Sequence, residues 1–274
     1  MENPDILYHY CSATTLFAII KNQSLRATSL AYLNDQREVV HGQEALVAWC
    51  DSALKTEQRA LSIKALTEMK EVAQAYDIRN LFGICFSQAG DKLSQWRGYA
   101  NQGRGYAIGF RKSAFERKCF RLADGHLKNV IYDIEQFRTA LNGQWYRDIR
   151  PDYNMQFIRD QVDICISMLK DEGFNEEKEW RIVVARDTND APKVSDKYIP
   201  FGDRIEFFER NGVLVPFVDL KTLPDIRLPI VKIVIGPAVG NKENAKYSLE
   251  LLLRQAGYAA DEVKVMESGI PFLP

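Results

Sequence analysis

The 274-residue sequence lacks an excess of either charge: 36 Lys and Arg stand against 37 Asp and Glu, for a formal net charge of −1. That excludes the basic tail or arm that holds nucleic acid by counterion release, and leaves only a local patch to do so. No apolar run approaches the roughly 20 residues that span a bilayer, so no membrane partner is expected. The first residues, MENPDILYHY, have neither a basic region nor an apolar core of the secretory type. Cysteine is scarce and scattered (Cys11, Cys50, Cys85, Cys119 and Cys165), odd in number and without a C-x-x-C pair. This argues against a disulfide framework and against a cysteine-rich zinc site. Histidine is scarcer: His9, His41 and His126 are too far apart to form a metal-binding pattern. These absences together predict a soluble, cytoplasmic protein of a reducing compartment.

Linkers and repeats are also missing. No Pro/Gly/Ser-rich stretch divides the chain, and the polar segment 187–197 (DTNDAPKVSDK) suits a loop between strands. A single domain over 1–274 is expected, with a helix-rich insertion at 12–78 and a strand-rich part at 80–274. Forty-six per cent of residues are hydrophobic, enough for a sizeable core at this length.

The N-terminal half reads as mainly helical. ILYHY is a strand, and Ser12 caps a helix carrying Leu16, Ile19 and Ile20. Asp35 with Glu38 has the form of a capping box before Val39, Leu46, Val47, Cys50 and Leu54. Residues 60–75 form another amphipathic helix. Later, LFGICFS, GYAIGF, NVIY (129–132), WRIVVA, VLVPFV, VKIVIG and VKVME read as strands. Met155, Ile158, Val162, Cys165 and Leu169 mark a long helix, and 242–256 another. Helices crowd early and strands late, which predicts an α+β fold: a mixed, mainly antiparallel sheet with the helical N-terminal half packed on it.

The most informative stretch is FNEEKEWRIVVA (174–185), in which an apolar strand begins with acids, a lysine and an arginine. If 177–184 is extended, Trp180, Ile182 and Val184 share one face and Glu177, Glu179, Arg181 and Val183 the other. Such a run is commonly a strand emerging from solvent. The alternative is a carboxylate at the rim of an apolar pocket, where it stabilises positive charge or positions a hydroxyl, with Arg181 keeping it ionised. Elsewhere Tyr8-His9-Tyr10 sends His9 to the face opposite its two neighbours. In 85–110, Ser87 closes a strand, Asp91 caps a short helix, and Trp96 and Tyr99 lie three apart on it. Aromatics so spaced are usually core, but they also suit the wall of a pocket for a flat ring. IVIGPAVGNKEN matches neither phosphate-binding glycine motif and reads as a turn.

The ordered pieces LYHYCS, LND-x-x-E (Leu33 to Glu38), CFS, W-x-x-YA (Trp96 to Ala100), GYAIGF, E-x-EWR, V-x-IVIGP and S-x-IPF resemble the bacterial DUF2971 family. They span nearly the whole chain. More distantly, the order of a first-strand His, a middle Ser with aromatics and a late Glu is similar to the ADP-ribosyltransferase superfamily. The middle strand here carries only Ser87 after Phe86 rather than a Ser-Thr-Ser run. That second resemblance implies an ADP-ribosyltransferase-like core and NAD as substrate. His9 would bind the ribose, and Ser87 with Trp96 or Tyr99 would line the nicotinamide pocket. Tyr8, Tyr10 and Arg181 would complete the NAD site. Glu179 would stabilise the oxocarbenium-like transition state and Glu177 would face the acceptor, a protein or nucleic acid. Asn34, Asp35 and Glu38 would contact substrate, and the resemblance implies a toxin or phage-defence setting.

Two rival readings stand beside it. Glu176-x-Lys178, with Asp91 upstream, has the E-x-K form of a metal-dependent nuclease. A non-catalytic protein would instead use Glu-x-Glu-x-Arg and Trp96 as a binding surface or a structural ion-pair cluster.

Overall fold

The computed structural model describes residues 3–32, 37–116, 125–142, 149–186, 204–223 and 225–272. In chain order the elements are β1 (Ile6–Cys11), α1 (Ala13–Asn22), β2 (Ser24–Ser29), α2 (Arg37–Leu54), α3 (Ala60–Gln74), β3 (Leu81–Ser87) and α4 (Leu93–Tyr99). These are followed by β4 (Tyr106–Arg111), α5 (Lys112–Glu116), β5 (His126–Asn129), α6 (Ile134–Asn142), α7 (Met155–Met168) and β6 (Glu179–Ala185). The chain closes with β7 (Ile205–Arg210), β8 (Val213–Lys221), β9 (Ile230–Ile235), α8 (Lys242–Gln255) and β10 (Lys264–Glu267). Among the described residues the fold is α+β with a ten-stranded sheet, antiparallel except for the β9–β10 pair.

Local chemistry accounts for most of these elements. Ser12 accepts from the Thr15 amide at the start of α1, and Leu16, Ile19 and Ile20 are the buried stripe. Asn154 caps α7 in the same way. Asp35 and Asn34, with the capping box they suggest, lie outside the described residues, as does the 187–197 segment. Three readings need correction. β2, whose SLRATS has only two apolar side chains, is a sheet strand inside the supposedly helical half; its Leu25 and Ala27 are buried while Arg26 is exposed. The strand read at 129–132 instead spans His126–Asn129, and beyond it Ile131 makes one isolated bridge to Leu169. Asp91 does not cap α4; Lys92 holds that position without a side-chain bond.

The sheet separates two main cores. One face carries Leu7, Phe82, Ile84, Phe86, Ile182 and Val184 against α1 and α8. The other presents Leu81 and Val183 to α2, α3, α6 and α7. The alternation expected for WRIVVA therefore holds, because successive side chains of a strand point to opposite faces. A third, smaller cluster packs Tyr8 and Tyr10 of β1 against Trp96 of α4.

The feature that positions the site is a splay in the sheet. Strand β6 pairs with β3 along its whole length, from Leu81↔Ala185 to Ser87↔Glu179. The other edge of β3 is shared: β2 meets it at Thr28↔Gly83 and Ser29↔Phe82, and β1 only at Tyr8↔Ser87. Between these contacts β1 and β2 diverge, joined behind by α1, and the middle of β3 lies open along that edge.

Candidate functional site: a cleft over a buried ion-pair network

A cleft of about 550 Å3 occupies the splay. Its walls come from β1 (Tyr8, His9, Tyr10), β2 (Arg26, Thr28), β3 (Gly83 to Ser87), α4 (Gln95, Gly98, Tyr99) and the end of β7 (Arg210). Its floor is charged: Glu38, Lys170, Glu177, Glu179 and Arg181 all face it. The size is that of a small-molecule or cofactor pocket.

The floor is a mutually paired network. Arg181, only 2 % exposed, donates from Nε to Glu179 Oε1 at 2.6 Å and from Nη2 to Glu179 Oε2 at 2.9 Å. Its Nη1 donates to the Ser167 carbonyl at 3.0 Å, and its guanidinium also contacts Glu38. Lys170 Nζ reaches Glu177 Oε2 at 2.7 Å, Glu179 Oε2 at 2.8 Å and Glu38 Oε2 at 3.7 Å. Three carboxylates thus face two cations. The Glu179 amide donates to the Tyr132 hydroxyl at 2.8 Å, and Tyr99 donates to Glu177 Oε1 at 3.0 Å.

Packing brings these groups together from distant segments. Glu38 sits in the first turn of α2, and one turn later Gly42 lies against the Ile166 carbonyl of α7, where a Cβ would collide with the backbone. That close approach of α2 to α7 sets Glu38 beside Lys170, just past the C-terminal end of α7. Glu177 differs from its expected position. It ends a 3-10 turn (Glu172–Glu177), and Lys178, at φ 46°, turns the chain before β6 begins at Glu179. Glu177 therefore enters the site from a loop and not in strand register with Glu179.

Burial and charge compete at each group. Burial pushes the Glu179 carboxyl up, but Arg181 and Lys170 outweigh it and hold its pKa down at about 2. At Glu38 burial wins over the same two cations and the pKa is raised. Burial would lower the Lys170 pKa, yet Glu179 and Glu38 raise it, so the ammonium stays charged. Burial lifts the Tyr132 hydroxyl to about 12.

His9 lines the gap between β1 and β2. Its Nδ1 lies 3.0 Å from the Cys85 carbonyl, and its ring meets Phe86 edge-on with centroids 6.0 Å apart. Burial pushes its pKa below 6.5 against the opposing pull of that carbonyl. A carbonyl only accepts, so the neutral ring carries its proton on Nδ1 and leaves Nε2 as an acceptor. The unfolded His9 protonates first as pH falls, so its contribution to stability is full above 6.5 and declines as pH falls toward the lower folded value. The melting-temperature gap between wild type and His9→Gln is therefore expected to shrink from pH 8 to pH 5.5. A pH-independent gap would show that His9 is not held neutral.

The structure gathers His9, Tyr8, Tyr10, Ser87, Tyr99, Glu38, Glu177, Glu179 and Arg181 around this one cleft. Trp96 is the exception. It is fully buried beneath α4, 4.8 Å from the Tyr10 ring, with its indole N–H donating to Asp91 Oδ1 at 2.7 Å. Its neighbour three residues on, Tyr99, takes the place at the wall. Ser87 is 3 % exposed and donates to the Glu177 carbonyl at 2.6 Å, so it anchors the acidic loop. Asp91 also accepts from Ser268 and Gly269, tying α4 to the C-terminal segment. Sequence reasoning missed Lys170, Arg26 and Arg210. Each is a lone basic residue in an otherwise ordinary segment, and no local pattern distinguishes it.

Among the described residues no group of three or more His, Cys, Asp or Glu is placed to hold a metal ion, and no helix is long and apolar enough to cross a membrane. No curated protein and no solved structure matches the chain. Residues 95–182, from α4 to the Glu179–Arg181 pair, match the family model described as Protein of unknown function (DUF2971), and over that stretch the chain is similar to this family.

Proposed function

We propose that the cleft binds NAD and that the protein is an ADP-ribosyltransferase-like enzyme, or an NAD glycohydrolase where water is the acceptor. The observation that carries this reading is an ionised carboxylate, Glu179, at the floor of the cleft that also holds the neutral His9. Breaking the bond from the ribose C1′ to nicotinamide sends the electron pair out with nicotinamide and leaves positive charge on the ribose. A fixed carboxylate shielded from water stabilises such charge. His9 Nε2 is an acceptor for a ribose hydroxyl, and Tyr99 at the wall offers a face to the departing ring. The acceptor oxygen then bonds to C1′ and loses its proton to Glu177, the more accessible carboxylate, or to solvent.

NAD at millimolar concentration is expected to raise the melting temperature, and free nicotinamide is expected to accumulate slowly. Calorimetry without heat, together with an unchanged melting temperature, would remove this reading.

A structural role for the same network is a second reading, favoured by the completeness of its pairing: Glu179 already has both oxygens engaged by Arg181 and Lys170. On that reading Glu179→Gln alters stability and no turnover exists to be lost. The nuclease reading gains nothing from the geometry. Glu176 pairs with Lys92 at 3.4 Å, and Asp91 is occupied by Trp96, Ser268 and Gly269.

A further inference from the structure

Behind the main cleft lies a second cavity of about 180 Å3. The two share His9, Arg26, Thr28 and Ile84, so they adjoin across the splay between β1 and β2. The smaller one is closed at the back by Thr15, Ala18 and Asn22 of α1, the helix that joins the two diverging strands, and has Phe208 on another wall. It is polar and apolar by turns, and it is large enough for one heterocycle.

Arg26 stands at the junction. Its guanidinium lies 4.7 Å from the Phe217 ring centroid, and the side chain is exposed. Its cross-strand neighbour is Asp219, yet Asp219 pairs with Lys221 at 3.9 Å, and among the described residues Arg26 has no carboxylate partner. An exposed cation held over an aromatic ring between two cavities suits an anionic linker.

Building on the NAD reading above, we infer that the two cavities form one bipartite site for a dinucleotide. The nicotinamide riboside end must lie in the large cleft, because the bond to be broken has to reach Glu179. The diphosphate then crosses the splay at Arg26, and the adenine end enters the small cavity against Phe208. The site thus distinguishes a dinucleotide from a mononucleotide by two elements remote from the reacting bond.

Calorimetric titration of the full chain with NAD, ADP-ribose and nicotinamide mononucleotide tests this. Ala18→Trp, which fills the small cavity, should weaken NAD and ADP-ribose at least about tenfold and leave nicotinamide mononucleotide unchanged. Arg26→Gln, on an exposed side chain, should weaken NAD about tenfold and the mononucleotide less, since the loss is that of charge-assisted bonds to the diphosphate. Unliganded melting temperatures equal to wild type certify the fold of both variants, and Arg26→Gln carries the test alone if Ala18→Trp does not fold. Wild-type NAD affinity in a folded variant overturns the bipartite site while leaving NAD turnover at Glu179 standing. Absence of NAD binding in the wild type overturns both.

Discussion

Arg181→Met is expected to lower the stability of the folded protein by about 3–5 kcal/mol, the largest effect of any single substitution considered. The guanidinium is 2 % exposed and is the bidentate partner of Glu179. Without it, Glu179 and Glu38 are left inside the protein with only Lys170 between them. Methionine fills much of the volume, so the loss reports charge and not a cavity. Urea unfolding measures it, and a loss below about 1 kcal/mol would show that water reaches the network freely. A double-mutant cycle with Glu179→Gln should be strongly non-additive, because the second change removes one of the charges the first has stranded.

Glu179→Gln should reduce nicotinamide release by about 100- to 1,000-fold, the scale on which a single pre-organised electrostatic group contributes to a rate. The thermal shift on adding NAD should persist, since Gln retains shape and hydrogen bonding. Retention of that shift separates lost chemistry from a lost fold. Full activity in the variant would remove Glu179 from the mechanism. The same substitution changes acid stability. The folded Glu179 carboxyl has its pKa near 2 against an ordinary 4.5, so its contribution is present above 4.5 and is lost as pH falls toward 2. Glu38 acts in the opposite sense, gaining stability as pH falls toward 4.5 from its raised value, and adds nothing further below that. The wild type should therefore lose stability more steeply than Glu179→Gln between pH 4.5 and 2, as followed by circular dichroism.

The network also explains why a core strand begins with charge. Glu179 and Arg181 are not a strand end in water; they are 5 % and 2 % exposed. They lie opposite Ser87 and Cys85 of β3, on the face away from Ile182 and Val184. Period-two alternation placed them on one face, but whether that face met water or an ion-pair floor depended on α2 and α7 arriving above it.

The sequence by itself determined the elements whose cause is local: Ser12 capping α1, the 3.6-residue stripe of α7, and the two faces of β6. It also brought His9, Ser87, Tyr99, Glu177 and Glu179 into consideration, because His9 stands between two tyrosines within β1 and each of the others sits at the end of a strand, helix or turn with a distinctive neighbour. Tertiary structure alone decided the rest. β2 is a strand because it has an edge of β3 and residues 217–221 of β8 to pair with, and its own composition carries little β signal. Trp96 lost its place in the pocket to Tyr99 because the larger apolar ring is better stabilised beneath α4, bonded to Asp91, than at a wet wall. Lys170, Arg26 and Arg210 joined the site through contacts far apart in sequence, and no periodicity encodes a contact between residues whose only relation is the closing of a sheet.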